Sequence, residues 1–286
     1  MTDEKKNNRH RLIAGPSSRA VFAEKRETAL IWLNRWGYAT PKIFEELLGL
    51  KKPAGRYLVE KLVKAGEVKE EYIEGASAGY SKLELIEGKR TEVAPFLVML
   101  TEKGKTLAQM LDNETEGSNW TRQLHATQSV HHNLMCQYAT LVFKRELGAN
   151  FVDYLPEAST ETESKAGIKQ PDVLLTKRVG DRFETIALEI EMTPKYNHHG
   201  ALDKALRGIL YALKTNVTSV VYLFKSKESG ARYQEHWDLG KIPVWKKSAA
   251  VGWVKDLSAP AILIEPPYDK ALSFSYPSWM RGTPWK

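Results

Sequence analysis

Gln170 to Thr176 reads Q-P-D-V-L-L-T, and Thr185 to Lys195 reads T-I-A-L-E-I-E-M-T-P-K, with a polar turn between them. Each stretch holds a short apolar run of strand length. In a strand successive side chains point to opposite faces. Ala187, Glu189 and Glu191 therefore share one face, and Leu188, Ile190 and Met192 share the other. Two carboxylates side by side repel, and they persist when a divalent cation or a positive partner neutralises them. A hairpin through the polar turn brings a third acid, Asp172, to the same place.

The elements around this hairpin are read from periodicity. A long helix is expected over 120–147, with Leu124, Val130, Leu134, Tyr138, Leu141 and Val142 inward. Strands follow at 150–155, 173–176 and 185–191, then a helix over 200–215 and a strand over T-S-V-V-Y-L-F. Helix, strand, strand, strand, helix, strand predicts an α/β sheet with at least one face covered by helices. Beyond Lys225 the pattern is less regular. It predicts a helix near 232–239, a strand at 261–265 and an aromatic, proline-rich tail from Ala271.

Upstream, residues 1–25 read as a flexible basic arm. A helix is expected from Glu27, with Ala29, Leu30, Leu33 and Trp36 on one face and Gly37 as its stop. Thr40-Pro41 opens a second helix, with Thr40 as N-cap and proline at the first position. A third helix follows Lys51-Lys52-Pro53, with Tyr57, Leu58, Leu62 and Val63 expected inward. Strands at 68–73 and 96–100, then L-T-E-K-G-K, complete a pattern that resembles a winged helix-turn-helix. Its third helix would present Lys51, Lys52, Arg56, Lys61 and Lys64 to DNA. The domain reading is thus 26–112 for this unit and 120–286 for the sheet, with a polar linker over 112–119.

The 286 residues carry a net charge of +7, which favours an anionic partner such as nucleic acid. No apolar run reaches the length of a membrane span, and the polar N-terminus lacks the apolar region of a signal peptide. A single cysteine, Cys136, excludes an intramolecular disulfide and a Cys-rich zinc site, and it fits a reducing cytosol. A cytoplasmic protein is expected.

The order of elements around Pro171-Asp172 and Glu189-Ile190-Glu191 resembles the restriction-endonuclease-like core of the PD-(D/E)xK nucleases. That family places an Asp, often after Pro, on one strand and acid-x-Lys on the next. Here Glu191 stands where Lys is expected, and Lys195 lies four residues on. The resemblance implies Mg²⁺ or Mn²⁺ held by Asp172 and Glu189, with the Ile190 carbonyl as a further ligand and Glu157 as an additional acid. It gives Glu191 a second metal or the role of base, and Lys195 the stabilisation of charge on phosphorus. The alternative is that Asp172 opens a turn and the two glutamates lie on an exposed strand face beside lysines.

His132 is expected beneath the sheet or at the site, sharing a helix face with Gln128. Lys204 and Arg207, on the helix after the acidic strand, would track a DNA backbone. His198 and His199 lack the spacing of a zinc motif.

Together with H-H-N-L at 131–134 and D-K-A-L-R-G-I-L-Y at 203–211, the whole order looks like the MobC-type relaxases and the replication-relaxation family of mobile elements. That resemblance implies a metal-dependent relaxase nicking one strand of double-stranded DNA at a specific transfer origin. A type IV coupling protein and accessory mobilisation proteins would be its partners. Two alternatives stand beside it: a catalytically silent, sequence-specific DNA-binding regulator or replication accessory, and a restriction or transposon endonuclease.

Overall fold

A computed structural model describes residues 17–72, 96–112, 127–157, 171–192, 200–215, 217–248 and 252–281. The chain is mixed α/β, with seven α-helices among the described residues and a mixed five-stranded sheet.

The first helix, α1 (Ser18–Trp36), begins nine residues before the expected start. Ser17 caps it, its Oγ accepting from the Ala20 N–H at 3.2 Å, so residues 18–25 are helical rather than part of an arm. Its first half holds one short apolar run, Ala20-Val21-Phe22-Ala23, whose Phe22 packs on the core, between basic and acidic residues that read as an arm. Gly37, at φ 86°, ends α1 with its N–H on the Leu33 carbonyl. A short strand, β1 (Tyr38–Ala39), follows. Thr40 then caps α2 (Pro41–Leu47), with proline in the first turn as expected.

Next, α3 (Ala54–Lys64) packs on α2 through Gly55, where a Cβ would come within 2.2 Å of the Pro41 carbonyl oxygen. The buried face of α3 is Gly55, Leu58, Val59 and Leu62. Tyr57 and Val63 are exposed, at 59% and 39%, which corrects their expected inward placement. The buried stripe is centred on Gly55, Leu58, Val59 and Leu62, and Tyr57 and Val63 fall outside its edges. Strands β2 (Val68–Tyr72) and β3 (Phe96–Leu100) pair antiparallel, and β1 joins the other side of β3. Thr101 caps α4 (Glu102–Leu111).

Asp112, expected to open a linker, is buried. It accepts from Asn34 at 3.2 Å and from Arg35 through both carboxylate oxygens at 2.9 and 3.0 Å. The rest of the expected linker and the Trp120–Ala126 part of the long helix lie outside the described residues.

The second half begins with α5 (Thr127–Leu147) and a single 3₁₀ turn, then β4 (Phe151–Pro156), β5 (Val173–Val179) and β6 (Arg182–Glu191). Next come α6 (Ala201–Thr215), β7 (Ser219–Phe224) and α7 (Lys227–Asp238). Short strands β8 (Lys241–Ile242), β9 (Trp245–Ser248), β10 (Gly252–Lys255) and β11 (Ile262–Leu263) form two small pairs. The last strand, β12 (Leu272–Ser275), runs parallel to β7 and closes the main sheet in the order β12-β7-β6-β5-β4. Strands β4, β5 and β6 are antiparallel neighbours, and β6, β7 and β12 are parallel.

The sheet is covered on both faces, so the central strand β6 is buried from Ile186 to Glu191. Ile186, Leu188 and Ile190 pack into a core shared with α5 and with Trp32, Leu33 and Trp36 of α1. Ala187 packs on the other side, against α6, α7 and β7. One apolar core therefore runs from the first helix through to the sheet. Polar side chains bridge the same junction. Trp32 Nε1 donates to Gln137 Oε1 at 2.9 Å, and Gln137 Nε2 donates to the Tyr38 carbonyl at 2.8 Å. Arg35 adds bonds to Asp153 and, at 3.0 Å, to the Tyr154 carbonyl. The tail packs as well: Trp279 meets Tyr138 edge-on at 5.5 Å, and Met280 is fully buried.

Candidate functional site

The site lies where β5 begins and β6 ends. Val173 pairs with Leu188 in an antiparallel register. Extended past that pair, the register brings Asp172 opposite Glu189 and Pro171 opposite Ile190. Proline has no N–H and cannot complete the ladder with Ile190. Two side chains take its place. Asp172 Oδ2 accepts the Ile190 N–H at 2.7 Å, and His132 Nε2 lies 3.0 Å from the Ile190 carbonyl oxygen. A carbonyl only accepts, so His132 donates through Nε2. The same nitrogen is 3.4 Å from Asp172 Oδ2.

Asp172, Glu189 and Glu191 are buried, at 4%, 4% and 6% exposure. The exposed-strand alternative is therefore corrected: helices cover this face, and the two glutamates lie inside the protein. Glu191 Oε2 accepts from Tyr233 at 2.8 Å and from Tyr222 at 3.3 Å. Tyr222 pairs with Glu189 in the β6–β7 register, which sets its ring against the acidic face. Burial first, then the charge on Glu189, holds the Tyr222 hydroxyl well above its ordinary pKa, with Tyr233, Glu191 and Asp172 adding to the shift. The Tyr222 and Tyr233 hydroxyls donate to the Glu191 side chain, which satisfies a polar group buried within the sheet.

His132 is joined on its other nitrogen by Cys136, one helical turn along α5, with Sγ 3.6 Å from Nδ1. The charge of a Cys136 thiolate foremost, then the bond to Asp172, pushes the imidazole pKa up to about 12 against the effect of burial. One ligand atom each from His132, Cys136 and Asp172 lies within 4.8 Å of the others.

The expected site residues are distributed as follows. Asp172 and His132 meet at 3.4 Å, while Glu189 and Glu191 lie buried on β6 beside Tyr222. Glu157 follows β4, and its N–H donates to the Asp172 carbonyl at 3.0 Å. Lys195, His198 and His199 lie outside the described residues, as does the Gln128 side chain. Lys204 and Arg207 lie on α6, half-buried. On and before α3, Lys51, Lys52, Lys61 and Lys64 are exposed. Lys61 carries its ammonium 4.8 Å above the Phe22 ring. Arg56 is tied to Glu60 and Glu70, each at 3.3 Å, so it is not an unencumbered cation.

Sequence reasoning passed over Cys136, Tyr222 and Tyr233. The four-residue step from His132 was the available signal for Cys136. Tyr222 sits within an apolar strand and Tyr233 within an ordinary helix, and neither carries a local mark.

The donors at the strand ends fit a hard cation in type: Asp172 and Glu189 supply carboxylate oxygens and Ile190 a carbonyl. His132 and Cys136 fit a softer one. Comparison with protein-family models, curated proteins and solved structures gave no match.

Proposed function

We propose that the protein is a metal-dependent DNA endonuclease of the relaxase kind, nicking one strand at a transfer origin. The observation that carries this reading is that two carboxylates, Asp172 and Glu189, are buried one residue beyond the Val173–Leu188 pair that ends the β5–β6 ladder of a helix-covered mixed sheet. In this reading the sheet is a restriction-endonuclease-like core, and the first half is a winged helix-turn-helix that docks on duplex DNA. Asp172 and Glu189 would hold Mg²⁺ or Mn²⁺, which when bound polarises a phosphoryl oxygen and acidifies a bound water. Glu191, held by two tyrosine hydroxyls, positions the end of β6 rather than acting as base. His132 steadies the Asp172 carboxylate and the Ile190 carbonyl. The exposed lysines at 51, 52, 61 and 64 bind phosphate. A type IV coupling protein and accessory mobilisation proteins are the partners of such an enzyme, and the cytoplasm is its place of action.

The test is supercoiled plasmid carrying the origin beside this gene, incubated with Mg²⁺ or Mn²⁺. Open circles are expected, and Asp172→Ala or Glu189→Ala should slow their formation by about 10²-fold or more. Equal relaxation by the wild type and both variants would sink the assignment. Linear product would select a double-strand-cutting restriction or transposon enzyme. Lys51→Ala, Lys52→Ala and Lys64→Ala should each weaken binding across all sequences. Each should also lower the salt slope by about one, read by fluorescence anisotropy at several salt concentrations.

A second reading is a silent, sequence-specific DNA-binding regulator or replication accessory. It is favoured by the bonds that Asp172 and Glu191 already make within the protein. It predicts tight binding to one site with no cleavage under any divalent metal.

A further inference from the structure

Cys136 has no part in the reading above, yet its sulfur is held against a histidine whose two ring nitrogens have distinct neighbours. Nε2 faces the Ile190 carbonyl at 3.0 Å and Asp172 at 3.4 Å. Because the carbonyl fixes Nε2 as donor, Nδ1 is the nitrogen turned to Cys136 Sγ, 3.6 Å away. Two ligands on one tetrahedral ion, nitrogen at about 2.0–2.1 Å and sulfur at about 2.3 Å, are separated by roughly 3.5 Å. The spacing of Nδ1 and Sγ matches that geometry. A metal-bound histidine commonly donates its other N–H to a carbonyl or carboxylate, which fixes the ring and raises its basicity. Here that partner is in place.

We propose that His132 Nδ1, Cys136 Sγ and an Asp172 carboxylate oxygen form a binding site for one transition-metal ion of the zinc class. One ring nitrogen of His132, Cys136 Sγ and one Asp172 carboxylate oxygen lie within 4.8 Å of one another, against roughly 3.3–3.5 Å between ligands of a tetrahedral ion. Asp172 Oδ2, now 3.4 Å from Nε2, must turn toward the Nδ1 side to join the ion. The thiolate and imidazole select against Mg²⁺ and Ca²⁺, which take oxygen ligands. The His132 side chain is 29% exposed, which gives the ion a route in and leaves a fourth position for water. Both halves of the ion's grip come from rigid elements: one face of α5 supplies His132 and Cys136, and the start of β5 supplies Asp172. Binding releases whatever proton the sulfur and Nδ1 hold between them. The site shares Asp172 with the hard-oxygen set but not Glu189, and it stands whether or not the protein cleaves DNA.

The experiment is titration of the reduced full-length chain with Co²⁺, a spectroscopic probe for zinc. A thiolate-to-cobalt charge-transfer band should grow in the near ultraviolet to one equivalent. Zn²⁺ should abolish it, and excess Mg²⁺ should leave it unchanged. Cys136→Ser should remove the band, and Asp172→Asn should weaken cobalt binding about tenfold or more. No charge-transfer band in the wild type, or a band that survives Cys136→Ser, overturns the proposal. X-ray absorption on the zinc-loaded wild type decides independently of how the variants fold. One sulfur neighbour at about 2.3 Å supports the site, and a shell of nitrogen and oxygen alone overturns it.

Discussion

Position 191 illustrates how a single residue's chemistry depends on neighbours far away in sequence. A glutamate inside a central strand is costly unless it is hydrogen-bonded. Tyr233 and Tyr222, 42 and 31 residues on, supply those bonds. Tyr233→Phe should therefore destabilise the protein by about 1–3 kcal/mol, because it leaves a buried carboxylate with one donor fewer. Urea unfolding of the two proteins measures the difference, and a change near zero would mean that Glu191 is satisfied otherwise. The same cluster makes a titration prediction. Burial and the charges of Glu189, Glu191 and Asp172 raise the Tyr222 hydroxyl. Removing one negative charge makes tyrosinate easier to form, so Glu189→Gln should lower that pKa. Ultraviolet titration against a Tyr222→Phe control reads the shift. Both acids of the E-x-E motif are evident in the sequence, but their tyrosine partners are not, since no periodicity links a strand to a helix of another segment.

At the level of elements, caps and breakers were the most legible signals. Thr40-Pro41 and Gly37 act within a few residues of themselves, so their meaning is local. The hairpin of β5 and β6 was equally clear from alternation. Two features were not. The first half of α1 offers only the short apolar run 20–23, and its helix is set by the Ser17 cap, by Phe22 on the core and by what the second half buries. On α3, apolar residues occur on two faces, and only packing on α2 decides which face is inward. Gly55 fixes that contact. Gly55→Ala would press a Cβ into the Pro41 carbonyl, so the helices must separate. A loss of about 1–3 kcal/mol is expected, the range for overpacking. Thermal unfolding would show it, and an unchanged midpoint would mean that the contact is loose.

Across the whole molecule, the two halves that composition separates are joined by one core and one buried ionic knot. Arg35 is buried, and burial pulls its pKa down, but bonds to Asp112 and Asp153 outweigh that and hold the guanidinium charged. Its carbon also lies 5.0 Å from the centre of the Tyr154 ring. Removing one partner of a buried ion pair leaves uncompensated charge, so Arg35→Ala should cost about 3–5 kcal/mol. Since apolar packing crosses the same junction, tryptophan fluorescence and far-ultraviolet dichroism should follow one denaturation curve. Two separated transitions would show that the halves unfold independently. The sequence by itself determined the order of helices and strands around the hairpin and the faces of β6. Period, caps and turn residues act over short spans, and a two-fold alternation leaves little choice of face. Only the tertiary structure decided that the acidic face is buried, that Pro171 leaves Ile190 to be completed by Asp172 and His132, and that Cys136 meets the same imidazole. Those outcomes depend on strand register and on helices laid over the sheet from distant parts of the chain, which no local pattern encodes.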